Sequence, residues 1–288
     1  MPELPEVETI VRGLDKRVAR DTIESVWIGS RKQPLKSSAN AIASTLEAKR
    51  IVRVHRAGKH IVFDLEPELY ARKQKPKKKS NRENAETSQF IVHLGMTGRM
   101  VVCEPSAEIL KHTHLIAKLA SGRELRFIDP RMFGKLSVHL RHDSGGFDPG
   151  GVEPLEVTEE EFIALFHGRK TPIKSALLNQ KLLRGVGNIY ADESLFRASI
   201  RPRRRASTIT HAQFSKLHRA VQEVLREAIA LGGSSISDYV DADGEEGFFQ
   251  LQHRVYGREG EPCLVCGTAI RRVVLAGRSS HYCSKCQQ

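Results

Sequence analysis

The sequence lacks any run of 18 apolar residues, and its first residues show no basic segment followed by an apolar one. The first absence argues against a membrane-spanning helix, and the second argues against a secretory signal peptide. Hydrophobic residues still make up 40% of the 288 positions, which is enough for buried cores in one large or two ordinary domains. We therefore expect a folded protein in the cytoplasm.

Acidic residues are in deficit. The chain has 34 Asp and Glu against 46 Lys and Arg, which gives a net charge of +12 and a pI near 9.6. This excess favours a polyanionic partner, with nucleic acid ahead of an acidic membrane surface. A basic protein with scattered, solvated charges has the same composition. Charge therefore ranks the partners without identifying one.

Cysteine is scarce, and four of the five cysteines lie in the last 26 residues. Cys263-x2-Cys266 and Cys283-x2-Cys286 are separated by sixteen residues, a spacing typical of a four-thiolate zinc site. The intervening residues have the pattern of a β-hairpin. A closed four-cysteine site leaves no open coordination position, so we expect one structural Zn²⁺. The fifth, Cys103, follows two valines and is expected to be a small buried hydrophobic residue.

Apolar residues recur at helical spacing from the N-terminus onward, which predicts an amphipathic helix over residues 4–18. Its first turn holds Glu3 and Glu6, which the helix dipole favours. Eight β-like runs follow between about residues 20 and 141, and Gly, Asp and Ser separate them. This pattern predicts a β-sandwich or barrel.

Two segments interrupt these patterns. Residues 70–89 are polar, basic and without periodicity, so we expect an exposed insertion there. Residues 143–155 contain four glycines and two prolines, and the pattern changes to helices after them, which indicates a linker. A capping box at Thr158 predicts the first of these helices, two short helices flank "RGVG", and a long amphipathic helix is expected over about residues 210–231.

Three turn-rich stretches are candidates for ligand contact. Met96 stands between two glycines in "HLGMTGRM", and Arg131 and Phe133 stand in "DPRMFG". Such a methionine is usually part of a core, but an exposed apolar side chain can also enter a base stack, and a cation with an aromatic ring can fill the gap left by an extruded base. In "RGVGN", Asn188 is placed either to donate to a phosphate or to cap a helix.

Pro2 directly follows Met1, and removal of Met1 would expose its nitrogen as a secondary amine. An α-amino group titrates near pH ~8, so a sizeable fraction is unprotonated at neutral pH and can attack an electrophilic carbon to give an iminium. Glu3 and Glu6 stand close in sequence for proton transfer. A helix start with Pro and Glu in its first turn explains the same residues without chemistry, and composition does not separate the two interpretations.

Five motifs, in this order, closely resemble bacterial formamidopyrimidine-DNA glycosylase: "PELPEVETIVRGL", "HLGMTGRM", "DPRMFG", "NQKLLRGVGNIYADESLF" and "CLVC…HYCSKC". The similarity runs from residue 2 to Gln287, with residues 70–89 as the main exception. The resemblance implies a bifunctional DNA glycosylase and AP lyase of base excision repair. It would act as a monomer on damaged double-stranded DNA and excise oxidised purines such as 8-oxoguanine and formamidopyrimidines.

The resemblance also implies an α+β fold in four parts. An N-terminal β-sandwich catalytic domain with its N-terminal helix would occupy residues 2–142, and a hinge linker residues 143–155. A helix-two-turn-helix DNA-binding domain with a lesion-recognition loop would occupy residues 156–252, and a β-hairpin zinc finger residues 253–288.

Individual roles follow from the resemblance as well. Pro2 matches the nucleophile that forms a Schiff base with the sugar, and Glu3 matches a carboxylate that transfers protons. Lys59 and Arg278 match residues expected to donate protons in β- and δ-elimination. The residues expected to contact DNA, at its phosphates or by filling the duplex, are Met96, His112, Arg131, Phe133, Lys174 and Asn188. The zinc ligands would be Cys263, Cys266, Cys283 and Cys286.

The sequence departs from the family pattern in three places. Met132 stands where members often carry a basic residue. Glu245 and Glu246 make the 238–250 stretch, which resembles the lesion-recognition loop, more acidic than in many members. The 70–89 insertion interrupts the strand region. These departures bear on lesion preference more than on activity.

Two other functions share most of these features. The endonuclease VIII group has the same proline, helical motif and zinc finger but favours oxidised pyrimidines. A zinc-finger protein that binds damaged DNA without chemistry would keep the fold. The "PELPEVE" start and the Met-Arg-Phe set favour the oxidised-purine enzyme over the first, and intact Pro2, Glu3 and Lys59 favour it over the second.

Overall fold

The structure is a computed structural model that describes residues 1–67, 87–140, 145–235 and 247–288. Most of the 70–89 insertion and of the 238–250 stretch, including Glu245 and Glu246, lies outside the described residues. The chain divides into two compact units. The first contains residues 1–2 and the described part of 7–148, and the second contains residues 3–6, 149–235 and 247–288.

Within the residues that the structure describes, the first unit contains two helices and eight strands. The N-terminal helix and all eight strands predicted from the sequence are confirmed, whereas the second helix was not predicted. Ser38 caps that second helix by accepting a hydrogen bond from the Ala41 N–H (3.1 Å). The elements are α1 Leu4–Val18, β1 Thr22–Ile28, α2 Ala39–Leu46, β2 Lys49–Ala57, β3 His60–Pro67, β4 Ser88–His93, β5 Arg99–Cys103, β6 Thr113–Leu119, β7 Glu124–Ile128 and β8 Lys135–Leu140.

The eight strands form one continuous antiparallel sheet in the order β5-β7-β6-β1-β2-β3-β4-β8. Apolar side chains from both halves of this sheet share a single core with α1 and α2. The sandwich is therefore built from one sheet whose halves face a common core. Strands β3, β4, β6 and β7 are buried along almost their whole length, which explains their short continuous apolar runs in the sequence.

In residues 149–235 and 247–288, the second unit contains four helices, two 3-10 turns and a hairpin. Capping boxes begin two of its helices: Thr158 with Glu161 at the first, as predicted, and Thr210 with Gln213 at the long one. The elements are α3 Glu159–Phe166, α4 Ile173–Leu177, α5 Asn188–Arg197, α6 His211–Ala230, the 3-10 turns Ala206–Thr208 and Phe249–Gln252, and the strands β9 Ile270–Leu275 and β10 Arg278–Cys283.

The C-terminal hairpin packs on helix α5. Phe196 of α5 forms a small apolar cluster with Val255, Ile270 and two of the cysteines. Side chains of α3, α4, α5 and α6 together form a larger apolar core. Among the described residues, no helix has the length and apolar character needed to cross a membrane.

Candidate active site and metal centre

The Glu3 carboxylate lies at the N-terminus of helix α5. One of its oxygens accepts a hydrogen bond from the Ile189 N–H (3.3 Å), and Glu3 is only 5% exposed. A Cβ atom added at Gly187, the residue before the helix, would overlap this carboxyl group. Gly187 is thus needed for the close approach, and the helix N-terminus favours the negative charge placed there.

The "RGVG" stretch also holds the backbone next to Glu3. The Leu4 N–H donates a hydrogen bond to the Gly185 carbonyl (3.0 Å). Gly185 has a φ of +86°, and a Cβ there would meet the Leu4 side chain at 2.8 Å. The two glycines of "RGVG" therefore bring the first turn of α1 against the start of α5, one through the backbone and one through the carboxylate.

Glu6 fixes the same turn from within the unit. Its carboxylate accepts hydrogen bonds from the Glu3 N–H (2.8 Å), the Ser234 N–H (2.8 Å) and the Tyr190 hydroxyl. Burial raises the pKa of Glu6 even though these hydrogen bonds act in the opposite direction. Glu6 is almost completely buried, so its geometry suits an anchor for Glu3 better than a group that contacts substrate.

Pro2 is half-buried and directly precedes Glu3 in the chain. Its nitrogen is an amine only when Met1 is absent, because in the full chain it forms the peptide bond to Met1. The roles of Pro2 as nucleophile and of Glu3 in proton transfer stay predictions at this point.

Asn188 is the first residue of α5, and the residue that caps the helix is Gly187, without a side-chain hydrogen bond. The interpretation of Asn188 as an N-cap is therefore wrong. Its side-chain amide instead hydrogen-bonds the Tyr256 hydroxyl, while its Oδ1 has no hydrogen-bond partner among the described residues. Burial raises the pKa of Tyr256. The free Oδ1 is a hydrogen-bond acceptor and a phosphate needs a donor, so the contact of Asn188 with phosphate stays a prediction.

Lys174 and Arg278 occupy contrasting environments. Lys174 is 1% exposed, and its Nζ lies 2.7 Å from an Asp192 carboxylate oxygen and 2.7 Å from the Ser279 carbonyl. Burial lowers the pKa of Lys174, and Asp192 opposes this effect. Arg278, by contrast, is exposed at the start of β10. The charges of Arg278 and Glu3 both act on Lys174, so the three residues lie in one neighbourhood of this unit.

In the first unit, Met96 and Phe133 are exposed on two loops, at 44% and 51%. The guanidinium carbon of Arg131 lies 4.9 Å from the centre of the Phe133 ring, a cation–π distance. Met132, between them, has a φ of +55°, and both of its neighbours are exposed. An apolar wedge, a cation and an aromatic ring are thus presented together.

Asp129, which is fully buried, links these two loops. One carboxylate oxygen accepts hydrogen bonds from the Thr97 hydroxyl (2.6 Å) and the Arg131 N–H (3.2 Å), and the other accepts one from the Gly134 N–H (2.7 Å). Its backbone N–H donates to the carbonyl of His112 (3.0 Å), an exposed residue with a φ of +74°. Asp129 therefore fixes three of the stretches that carry predicted DNA contacts.

Lys59 lies in the tight turn between β2 and β3 and is buried. Its neighbour His60 packs against His93, with ring centres 5.0 Å apart. Burial first, then the charges of His60 and Lys59, lower the pKa of His93 to about 4, so that ring is neutral at pH 7. Because His93 Nδ1 accepts the Gly95 N–H (3.1 Å), its proton is placed on Nε2.

The four C-terminal cysteines form the predicted cluster. The sulfurs of Cys263, Cys266, Cys283 and Cys286 all lie within 4.8 Å of one another, with closest pairs at 3.4 and 3.9 Å. Four sulfurs bound tetrahedrally at ~2.3 Å to Zn²⁺ lie ~3.8 Å apart, so this donor set fits that ion. The cluster supports a structural metal.

Comparison with known proteins identifies three domains along the chain. Residues 1–136 match the formamidopyrimidine-DNA glycosylase N-terminal domain, residues 151–240 match the H2TH domain of the same family, and residues 260–288 match a zinc finger found in FPG and IleRS. Formamidopyrimidine-DNA glycosylase of Solibacter usitatus is 43% identical, with all of both chains aligned. The chain belongs to the formamidopyrimidine-DNA glycosylase family.

Solved structures of family members agree with the fold. A Lactococcus lactis FPG mutant in complex with Fapy-dG-containing DNA matches over all of both chains, with a TM-score of 0.86 and 32% identity. Wild-type Lactococcus lactis FPG bound to DNA with an oxidised pyrimidine matches over the same extent, with a TM-score of 0.84 and 32% identity. The predicted α+β fold with β-sandwich, helix-two-turn-helix and zinc finger is confirmed.

Sequence reasoning erred or fell short at several residues. Cys103 is half-buried, because its strand β5 is the edge of the sheet and has a neighbour on one side only. Asp129, Asp192 and Glu193 were not singled out, although each is a buried carboxylate with backbone partners. The donors to Asp192 and Glu193 lie far along the chain, whereas Asp129 takes two donors from its own loop and one from Thr97.

Proposed function

We propose that this chain is a bifunctional DNA glycosylase and AP lyase that excises oxidised purines from duplex DNA in base excision repair. The observation that carries the proposal is the Glu3 carboxylate, held against the N-terminus of α5 and next in the chain to Pro2. Family membership supplies the substrate class, since formamidopyrimidine-DNA glycosylase is the name of its relatives.

The chemistry begins with the Pro2 amine once Met1 has been removed. Its nitrogen attacks C1′ of the damaged nucleoside, the N–C1′ bond forms, and the glycosidic bond breaks as the base leaves with a proton. Proton transfer by Glu3 to the ring oxygen opens the sugar and leaves an iminium between Pro2 and C1′. The hydrogen bond from the Ile189 N–H and the close approach of Gly187 orient this carboxylate.

Two eliminations then cut the strand. Loss of a C2′ proton lets the C3′–O bond break, with Lys59 as the proposed proton donor to the leaving phosphate. A second loss of a proton lets the C5′–O bond break, with Arg278 as the proposed donor, and water finally releases Pro2. Lys59 is buried in a tight turn and Arg278 is exposed on the hairpin, so the two cations are proposed to serve separate steps.

DNA recognition is proposed to use both units. Asn188, Arg278 and His112 would hold the backbone, and Met96, Arg131 and Phe133 would fill the space left by the flipped nucleotide. The net charge of +12 supports such a partner. We further propose that the enzyme acts as a monomer in the cytoplasm.

One Zn²⁺ bound by the four cysteines would stabilise the C-terminal hairpin and so hold Arg278 in place. A closed thiolate site supplies folding energy and no open position for substrate. The proposed role of the metal is structural for that reason.

Borohydride trapping tests the function. The substrate is a duplex with one 8-oxoguanine opposite cytosine, and the covalent adduct is mapped by mass spectrometry. We expect an adduct on Pro2 in a chain that lacks Met1. Pro2→Gly should lose most of the lyase activity while it keeps DNA binding, and Glu3→Gln should lose trapping. Glu160→Gln, an exposed acid on α3, is the matched control and should behave as wild type. Elimination unchanged in Pro2→Gly would refute the nucleophile.

A second substrate class is favoured by one observation. A relative with 32% identity was solved with DNA that contains an oxidised pyrimidine. The same trapping experiment on an oxidised-pyrimidine duplex separates a preference for oxidised purines from a preference for oxidised pyrimidines. Binding to either duplex without any trappable adduct would instead support a non-catalytic damage-binding protein.

A further inference from the structure

Lys174 is almost completely enclosed. Its ammonium group lies 2.7 Å from the Asp192 carboxylate and donates a hydrogen bond to the Ser279 carbonyl (2.7 Å). The side chains of the pair are 1% and 0% exposed. An ammonium that is paired with a carboxylate at this distance contributes no net positive charge to a phosphate, and its burial leaves no surface for one to approach.

Asp192 extends the same contact into the hairpin. Its second oxygen accepts a hydrogen bond from the His281 N–H (2.8 Å) and lies 3.4 Å from the ring Nδ1 of His281. Ser279 and His281 are both residues of β10, which begins at Arg278. Lys174 on α4 and Asp192 on α5 thus hold β10 at two of its backbone groups, one carbonyl and one N–H.

A second carboxylate on α5 holds the segment that precedes the hairpin. Glu193 accepts hydrogen bonds from the backbone N–H groups of Arg254 (2.9 Å), Val255 (3.0 Å) and Tyr256 (2.8 Å). The Tyr256 hydroxyl in turn meets the side chain of Asn188 at the start of α5. Helix α5 therefore carries Asn188 and, through Glu193, also holds the backbone segment that leads into the hairpin.

From this geometry we infer that the buried Lys174–Asp192 pair is a positioning element for Arg278, and that Lys174 is not itself a DNA contact. The pair sets the position of β10 relative to α5, and so the distance from Arg278 to Asn188 and Glu3. The inference rests on the proposed function for its consequence in catalysis. Ser279, whose carbonyl Lys174 holds, is the residue next to Arg278, so the contact fixes the backbone from which the Arg278 side chain extends.

The salt dependence of DNA binding distinguishes a contact from a positioning role. Each phosphate contact contributes about 0.9 to the slope of log K against log salt concentration. The probe is a duplex with a tetrahydrofuran abasic analogue opposite cytosine, which needs no reaction. The variants are R278A, the neutral pair K174M/D192N, and the triple combination. Lys16→Met is the control, because Lys16 is an exposed lysine near the far end of α1 from Glu3.

A positioning role predicts that the triple variant has the same slope as R278A alone. A direct contact by Lys174 predicts a slope lower by about 0.9 in the triple variant than in R278A, and that result would overturn the inference. Absence of binding by the wild-type protein would instead count against the proposed function, so the two failures are distinguishable.

The ratio of elimination products gives an independent readout. In K174M/D192N we expect the ratio of δ- to β-elimination product to fall by about tenfold or more, as we also expect in R278A, because a displacement of about 1 Å is enough to disable a donor. Borohydride trapping at Pro2 should stay within about twofold of wild type. A ratio equal to that of wild type in a folded, zinc-loaded K174M/D192N protein would contradict the inference.

A single substitution, read only as a product ratio, gives a second test. D192N keeps Lys174 and its bond to Ser279 but weakens the hold on the His281 N–H. It also leaves a buried ammonium without its carboxylate, which lowers stability, but the ratio compares two products of the same folded molecules and does not depend on that loss. A fall in the δ-to-β ratio in D192N supports positioning, since the lysine is unchanged. An unchanged ratio in D192N refutes it.

Discussion

Replacement of Gly187 by alanine tests the placement of Glu3 with a single methyl group. Gly187 has φ −126° and ψ −162°, an extended conformation that alanine adopts without strain. The added Cβ would overlap the Glu3 carboxyl carbon and both of its oxygens. Any loss in Gly187→Ala therefore reports the contact with Glu3 and not a backbone penalty.

The size of the effect follows from that overlap. The carboxylate must move by about 1 Å or more to restore ordinary contact, and a misplacement of that size costs about 100-fold in rate, or ~2.7 kcal/mol of transition-state stabilisation. Overpacking costs the folded state ~1–3 kcal/mol in addition. Gly29→Ala is the matched control: it also lacks positive φ, and its Cβ would meet its nearest neighbours at 3.4 Å, an ordinary contact.

Single-turnover cleavage of a duplex with one abasic site is the assay, with affinity for the tetrahydrofuran duplex measured in parallel. We expect the rate to fall in Gly187→Ala with little change in affinity, and no change in Gly29→Ala. In a Glu3→Ala background the same substitution should add almost nothing, since the two changes act through one group. A wild-type rate in Gly187→Ala, or the same further loss in the Glu3→Ala background, would refute the assigned role of Glu3.

Three further outcomes are expected. Asp129→Asn should weaken discrimination of the base opposite the lesion, because the loops of Met96 and Phe133 lose a shared acceptor. Trapping at Pro2 should persist. If the variant discriminates between opposite bases as well as wild type does in competition assays, this expectation is wrong. Burial alone would raise the pKa of Asp64, but hydrogen bonds from His55, Gln89 and Arg53 lower it overall. The stabilisation by the Asp64 carboxylate is thus complete above pH ~4 and lost as pH falls further. Above pH ~4, denaturant unfolding should give Asp64→Asn a free energy of unfolding ~1–3 kcal/mol lower than that of wild type, and this difference should shrink only below that pH. Chelation of zinc should abolish affinity for the tetrahydrofuran duplex, and a metal-free protein that binds normally would contradict the structural role.

The elements that the sequence predicted are those with a strong local signal. Helix α1 carries six apolar residues at helical spacing, and the strands have apolar runs bounded by turn residues. The cysteine cluster was also predictable, because a Cys-x2-Cys turn places two sulfurs on one side by itself. Helix α2 was missed because its eight residues offer too few apolar positions to show a period, with Ile42 and Leu46 the main ones.

The parts of the site that were missed depend on partners distant in sequence. Asp192 and His281 are 89 residues apart, and Glu193 is 61 to 63 residues from the three amides that it accepts. An acidic residue on a helix ordinarily faces solvent, so sequence alone gives no reason to place these two inside. Asp192 and Glu193 become buried anchors of the C-terminal segment only because the hairpin and the residues before it pack on α5.

The two adjacent carboxylates of α5 also explain why a single substitution of Lys174 would be misleading. Asp192 has a buried cation beside it, whereas Glu193 is held by amides. Burial raises the pKa of Glu193, and the charge of Asp192 adds to this effect. Removal of the lysine alone leaves an uncompensated buried charge next to a second carboxylate, at a cost of ~3–5 kcal/mol. Activity would then fall whether or not Lys174 touches DNA. The neutral pair K174M/D192N removes both charges together, so what remains of the effect reports the position of β10 and of Arg278.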